Sequence, residues 1–351
     1  MDDRTRHLVL VAGAGRSGTS MIAGALSLLG VHVPLPHLKT NESNPRGFFE
    51  SQWPVRFHRR LLARAFVEMA DGRPTADRRV RRAVGQPQRD RLAAWLGTVM
   101  GESDQVLVKD PRSIWVPWLW EETAAELGVT TGFVTMLRHP AEVLGSRSTY
   151  YTGTRDNMGD FRFAVMNLCG WVNANLTVER GTRGKPRVFL RYSSLVEDWR
   201  PGLRQVKEGL GLDLDYDFDQ APPHELDEFI DPGLRRHTVE WPDLGLPEEL
   251  VAIAEEVWSA CCAIADAGGS DEQAEQRLDD LQRRYTALYL TAEAIARDAL
   301  LGQVKAAKQN VERELRRRPP DVPQAAQRPP WRRTVSAARR RLARLSRRTP
   351  R

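Results

Sequence analysis

The chain has 351 residues, enough for one large domain with an appendage, and its 41% apolar and 28% charged content is ordinary for a globular protein. Its three cysteines lack the spacing of a disulfide framework or a zinc site. The net charge of +6 is unevenly distributed, because the segment 322–351 carries ten arginines and no acidic residue, which leaves −4 for the rest. Nucleic-acid binding by the body of the protein is therefore not expected.

The first strand begins close to His7, which predicts that no signal peptide precedes it. No apolar run approaches the length of about 18 residues that a membrane-spanning helix needs. We therefore expect a cytoplasmic protein, with the inner face of the membrane as a second place where it could act.

The segment after the first strand predicts an anion-binding loop. An apolar run, Leu8–Ala12, enters a loop from Gly13 to Gly18 that contains three glycines, and an amphipathic helix follows. Backbone N–H groups of such a loop and the positive end of the helix dipole both face an anion. Loops that bind ATP carry a lysine directly after the last glycine. Here Thr19 occupies that position, and the basic residue is Arg16, inside the loop.

Further apolar runs predict a parallel sheet with helices on both faces, a P-loop-like three-layer α/β/α fold. We predict strands at 105–109, 132–137 and 187–192 and helices at 118–127, 141–150, 161–180 and 195–210. Ligands bind at the carboxyl ends of the strands in such sheets. These ends are predicted to bring together 13–20, 109–112, Arg138 and 191–194.

Three motifs occur in the order found in one family of enzymes. Arg16–Ser20 fits the pattern [KR]-[ST]-G-[ST]-[ST], and Lys109 begins a K-D-P segment. Arg138, at the end of a predicted strand, is followed eight residues later by Ser146. Over residues 7–200 the chain thus resembles bacterial sulfotransferases that use 3′-phosphoadenosine-5′-phosphosulfate (PAPS). This resemblance implies transfer of a sulfuryl group from PAPS to a hydroxyl acceptor such as a glycan, a glycolipid or a small metabolite.

The resemblance also assigns residues to the nucleotide. Arg138 and Ser146 are expected to bind the 3′-phosphate, and Tyr192 to lie near the nucleotide, although Ser193 replaces the glutamate usual in the family's R-Y-E motif. The 5′-phosphosulfate is expected to contact the loop residues Gly15, Arg16, Ser17, Gly18, Thr19 and Ser20.

For catalysis we expect Lys109 and Arg16 to stabilise the charge that develops on the bridging oxygen of the leaving nucleotide. Glu50, which follows two phenylalanines, is the leading candidate for the base that accepts the acceptor's proton. Glu42, Asp110 and His37 are alternatives. No metal is expected, because no Asp/His cluster suggests a metal site.

Two other functions fit parts of the sequence. A P-loop kinase of a small metabolite would use the same loop, but Thr19 in place of lysine disfavours it. A non-catalytic adaptor with a nucleotide-binding fold would act through the C-terminal segments. Comparing the binding of 3′-phosphoadenosine-5′-phosphate and of ATP separates the sulfotransferase from the kinase, and turnover separates the sulfotransferase from the adaptor.

Beyond the sulfotransferase-like domain, placed at 1–265, the composition changes. Apolar residues at spacings of 3 and 4 predict one long helix at 271–316, which packs on its own domain or forms a homodimer. A Pro-rich linker is predicted at 317–330 and a basic amphipathic helix at 331–351. That tail suits an anionic membrane surface, with a solvated tail and RNA binding as the alternatives.

Overall fold

The protein is described by a computed structural model that covers residues 5–40, 46–151, 157–231, 233, 240–241 and 245–317. The predicted fold class is confirmed: a parallel sheet lies between layers of helices, and a long helix follows. The tail at 331–351 and most of the predicted linker lie outside the described residues.

The sheet has four parallel strands in the order β2-β1-β3-β4. These are β1 His7–Ala12, β2 Gln105–Lys109, β3 Thr130–Leu137 and β4 Arg187–Arg191. In the register, Val11 of β1 is opposite both Lys109 of β2 and Val134 of β3. Because β1 connects toward β2 while β3 connects toward β4, the strand order reverses between β1 and β3. Ligands of open α/β sheets bind at such a reversal.

The helices predicted at 118–127, 141–150 and 161–180 are present, with ends that differ by one to four residues. The predicted helix 195–210 is two helices, α8 Tyr192–Glu197 and α9 Trp199–Leu210, because Asp198 between them is extended and its carboxylate caps α9 at the Arg200 N–H, 3.0 Å away. The others are α1 Thr19–Leu28, α2 Gln52–Ala65, α3 Ala76–Ala83, α4 Gln86–Val99, a 3-10 turn Pro111–Trp115, α5 Pro117–Glu126, α6 Pro140–Tyr151, α7 Asn157–Thr182, α10 Leu226–Phe229, α11 Glu248–Asp266 and α12 Glu272–Arg317.

Two hydrophobic cores cover the two faces of the sheet. Alternate strand residues point to opposite faces, so Leu8 and Leu10 enter one core while Val9 and Val11 enter the other. The second core includes residues of α1, α8 and α9, and the first includes residues of α2–α5, α7, α11 and α12. Burial of both faces explains why the strands are continuous apolar runs.

The chain divides into two compact units, Met1–Leu290 and Thr291–Arg351. In the first, Leu278, Leu281 and Tyr285 of α12 are buried in the core. The Tyr285 hydroxyl donates to the backbone carbonyl oxygen of Cys169 at 3.1 Å. In the second unit, residues 291–313 are all exposed. The first part of the apolar stripe predicted along this helix thus packs on its own domain.

Candidate active site

The loop after β1 has a backbone that only certain residues tolerate. Gly13 and Gly18 have φ angles of 135° and 91°, in the left-handed region. A Cβ at Gly13 would lie 2.7 Å from the Met136 carbonyl oxygen, and one at Gly18 would lie 2.6 Å from the Tyr192 ring. Arg16 also has a positive φ of 76°, which costs on the order of 1 kcal/mol in a non-glycine residue. The loop therefore maintains a strained, tightly packed turn.

The N-terminus of α1 lacks an internal cap. Gly18 at the N-cap has no side chain, and the first turn contains no acidic residue and no side-chain capping bond. The loop is held by its own backbone, since the Ser17 N–H donates to the Ala14 carbonyl at 3.1 Å. Uncapped amides at a ten-residue helix fit a sulfate or phosphate group.

A buried ion pair lies against the start of this helix. The Nζ atom of Lys109, at the end of β2, is 2.5 Å from Oε1 of Glu50 and 3.0 Å from Oγ of Ser20. Both charged side chains are buried. Burial raises the pKa of Glu50, and the nearby Lys109 ammonium lowers it by less, so the pKa is above its ordinary value. A carboxylate with a raised pKa, that of Glu50, is thus in direct contact with the fixed ammonium group of Lys109.

Packing of aromatic rings positions Glu50. Phe49 has a left-handed φ of 51°, and its ring meets the Phe229 ring edge-on at 5.9 Å. Gly24 of α1 makes room for both, because a Cβ there would lie 2.3 Å from Phe229 and 2.7 Å from Phe49. The Leu38 N–H donates to the Glu50 carbonyl at 2.8 Å. Glu50 is therefore held by a hydrogen bond to its own carbonyl group and by the packing of the neighbouring Phe49 ring.

The structure also describes two of the three alternative bases. His37 has its Nε2 atom 3.1 Å from the Val33 carbonyl oxygen, and Asp110 is enclosed in a separate network. Glu42 lies outside the described residues. Of the candidates that are described, Glu50 is the one in contact with Lys109.

Asp110 belongs to a buried chain of hydrogen bonds. The Trp120 indole N–H donates to Nε2 of His58 at 2.9 Å, so Nε2 carries no proton and Nδ1–H donates to Asp110 at 2.8 Å. The Arg112 backbone and guanidinium add bonds of 3.0 and 2.8 Å. Burial favours the neutral acid, but these bonds outweigh it and lower the pKa of Asp110 to about 2. Such a carboxylate is a poor proton acceptor, and its role is to fix the segment after Lys109.

The pKa of Asp110 predicts a pH-dependent contribution to stability. The pKa falls from an ordinary value near 4 to about 2 on folding, so stability on the order of 2 kcal/mol is gained above pH 4 and lost as the pH falls toward 2. Asp110→Asn should lower the free energy of unfolding by about this amount at pH 7, measured in urea, and flatten its dependence between pH 4 and 2. The exposed Asp90→Asn is the control. Equal stability of Asp110→Asn and the parent would contradict the prediction.

Arg16 connects the loop to the segment after β3. Its Nε atom donates to Ser146 Oγ at 3.1 Å, and its carbonyl accepts from Arg138 Nη1 at 3.1 Å. Arg138 also donates through Nε to Glu142 at 2.8 Å, and its guanidinium lies 4.4 Å from the centre of the Tyr192 ring. Binding of one 3′-phosphate by Arg138 and Ser146 stays a prediction, but both residues contact the same arginine of the loop.

Sequence reasoning missed two buried residues here. Glu142 offsets the charge of Arg138, and Arg147 donates to the Gly15 carbonyl at 3.4 Å and to Asn167. The available signal was position alone: Glu142 follows Arg138 by one helical turn, and Arg147 directly follows Ser146. Glu142 lies at a position that the Arg138–Ser146 motif leaves unspecified, and Arg147 lies one residue beyond the motif.

Within the described ranges, no three His, Cys, Asp or Glu side chains converge in the manner of metal ligands. None of the described helices is long and apolar enough to cross a bilayer.

The chain was compared with known proteins by sequence and by structure. No family model and no curated protein matches the chain. Among solved structures it is similar to the sulfotransferase domain from the Synechococcus PCC 7002 olefin synthase, with 18% identity, a TM-score of 0.43 and coverage of 72% of this chain and 95% of that one. It is also similar to the sulfotransferase domain from the curacin biosynthetic pathway, with 15% identity, a TM-score of 0.38 and coverage of 73% and 98%. We therefore base the function on the site and not on these similarities.

Proposed function

We propose that this protein transfers a sulfuryl group from PAPS to a hydroxyl acceptor by direct in-line displacement. One observation supports the proposal above others: Lys109 Nζ links Ser20, at the start of the anion-binding helix, to the carboxylate of Glu50. Anion site, cation and base candidate are thus joined at the carboxyl end of the sheet. The fixed cation comes from β2 and not from the loop position that an ATP-binding lysine occupies.

The chain's residues divide the chemistry between them. When bound, PAPS supplies the sulfuryl group and a phosphate leaving group. The acceptor oxygen forms the new S–O bond while the S–O bond to the nucleotide breaks, and Glu50 accepts the hydroxyl proton. Lys109 and Arg16 stabilise the negative charge on the departing oxygen. Phe49, which precedes Glu50 in the chain and packs on Phe229, excludes water from the base.

Nucleotide binding tests the donor. 3′-Phosphoadenosine-5′-phosphate should bind at least tenfold more tightly than adenosine-5′-phosphate in calorimetry, a difference of about 1.4 kcal/mol or more. Arg138→Ala should remove the difference, because the guanidinium fork would no longer reach the 3′-phosphate.

Because that variant removes a buried ion-pair partner of Glu142, Arg138→Ala combined with Glu142→Ala is measured beside it. Arg89→Ala, which breaks a surface pair with Glu122, is the matched control and should keep the preference. Equal affinity of the parent protein for the two nucleotides would rule out the PAPS assignment and leave the kinase or the adaptor.

We also propose that the tail at 331–351, which lies outside the described residues, binds an anionic membrane surface. The full chain should co-sediment with anionic liposomes and bind neutral ones weakly, since each arginine near such a surface contributes about 1 kcal/mol. A chain that ends at Asp321 lacks ten arginines and should stay in the supernatant with its activity on a soluble acceptor unchanged. Identical sedimentation of both chains would show a solvated tail. The homodimer contact through 271–316 stays a prediction.

A further inference from the structure

A basic cavity that shares no residue with the candidate active site lies between α2 and α4. Its volume is about 350 Å³, near the lower end of the roughly 300–1,000 Å³ typical of small-molecule sites. No acidic side chain is among its lining residues, which include Trp53, Arg56, Phe57, Arg60, Arg64 and Arg91.

The arginines of α2 are spaced so that their charges repel one another when no anion is bound. Arg56, Arg60 and Arg64 follow one another at single-turn spacing, and α2 contains no acidic residue. Like charges at this spacing destabilise a helix. Arg56 donates to Gln52 Oε1 at 2.6 Å, but Arg60 and Arg64 have no hydrogen bond or ion pair with any residue that the structure describes. An anion in the cavity would neutralise this repulsion.

Two arginines outside the cavity show how a surface arginine of this protein is paired. Arg89, also on α4, donates to Glu122 at 2.7 Å, and Arg284 donates to Glu256 at 2.9 Å. Arg91, two residues after Arg89, lines the cavity and has no such partner in the described part of the chain. Arg60, Arg64 and Arg91 thus line one cavity without an acidic partner among the described residues.

Aromatic rings give the cavity a rigid apolar wall. Trp53 is stacked on Phe57 at 5.0 Å and on Trp95 at 4.7 Å, with interplanar angles of 11° and 6°. Trp95 in turn meets buried Trp120 edge-on at 5.8 Å. Rings fixed in this way present apolar surface to a ligand without further loss of side-chain entropy.

We propose that this cavity binds a phosphate or sulfate ester of an apolar or aromatic molecule. The ester group lies between the guanidinium groups of Arg60, Arg64 and Arg91, whose forks match its oxygens, and the apolar body lies against Phe57 and Trp53. The same chemistry is offered by a free ester and by a lipid headgroup. The proposal does not depend on sulfuryl transfer.

Calorimetry with 1-naphthyl phosphate, inorganic phosphate and 1-naphthol tests it. Naphthyl phosphate should bind at least tenfold more tightly than either fragment, because only it uses both the arginines and the rings. Arg60→Glu should weaken its binding by tenfold or more. Arg59→Glu makes the same charge change on the same helix at an exposed position outside the cavity and should change the affinity less than twofold.

Saturating 3′-phosphoadenosine-5′-phosphate should leave the affinity for naphthyl phosphate unchanged, so failure here is distinct from failure of the proposed function. Vesicles of phosphatidylcholine with phosphatidic acid distinguish the sources in a competition assay, which does not depend on sedimentation through the basic tail: displacement of naphthyl phosphate from the parent and from Arg59→Glu assigns a lipid headgroup, and no displacement assigns a free ester. Absence of an Arg60-specific effect on the binding of naphthyl phosphate would overturn the proposal.

Discussion

Replacing Lys109 by methionine is expected to lower turnover by about 10²–10³-fold, the effect of removing one donor that stabilises transition-state charge. The Nζ atom is already fixed against Ser20 and Glu50, so it needs no rearrangement when charge develops. Steady-state turnover with PAPS as donor measures the loss. Lys185→Met, which breaks an ion pair with Glu121 away from the loop, should keep full turnover.

Loss of folding must be separated from loss of chemistry in that experiment. Lys109→Met leaves the Glu50 carboxylate buried without its cation, and an uncompensated buried charge is destabilising. Adding Glu50→Gln removes the charge, so the double variant should unfold closer to the parent while it stays inactive. Full turnover of a folded Lys109→Met protein would exclude Lys109 from catalysis.

Glu50→Gln should reduce turnover by a similar factor of about 10²–10³ while nucleotide affinity changes little, because the amide keeps the shape of the side chain but cannot accept the proton. Arg16→Ala should weaken nucleotide binding more. Glu126→Gln, at an exposed position, is the matched control.

The raised pKa of Glu50 determines the pH at which turnover is expected to fall. A base is active when ionised, so turnover should fall as the pH drops through the pKa of Glu50, and burial moves this fall to higher pH than for an exposed glutamate. Lys109 lowers that pKa, so the residual activity of Lys109→Met should fall at a higher pH still. Unimpaired turnover of Glu50→Gln would move the base to Glu42, His37 or Asp110, of which Asp110 is disfavoured by its pKa of about 2.

Local sequence patterns were sufficient to predict the sheet and the loop. The strand predicted at 105–109 has the observed bounds, because an apolar run buried on both faces leaves few other options. Gly13 and Gly18 marked the turn, and their positive φ angles explain why glycines are needed. The break in the predicted helix 195–210 was missed, although Asp198 is a common N-cap residue.

Contacts between distant segments were beyond the sequence. Lys109 and Glu50 are 59 residues apart, and Arg16 and Ser146 are 130 apart, so only the packed fold reveals these pairs. His58 was missed because its function as a buried donor to Asp110 depends on Trp120 from a third segment. The pattern in α12 could not show which part of its apolar stripe packs inside Met1–Leu290.

Transfer from a labelled donor tests the central claim most directly. The full-length protein is incubated with fractionated host lipid and polar extracts and either [³⁵S]PAPS or [γ-³²P]ATP, beside Lys109→Met as the inactive control. The account predicts that ³⁵S enters one acceptor fraction, that Lys109→Met removes this labelling, and that ³²P enters none. Labelling from ATP, or ³⁵S transfer that Lys109→Met leaves unchanged, would contradict it.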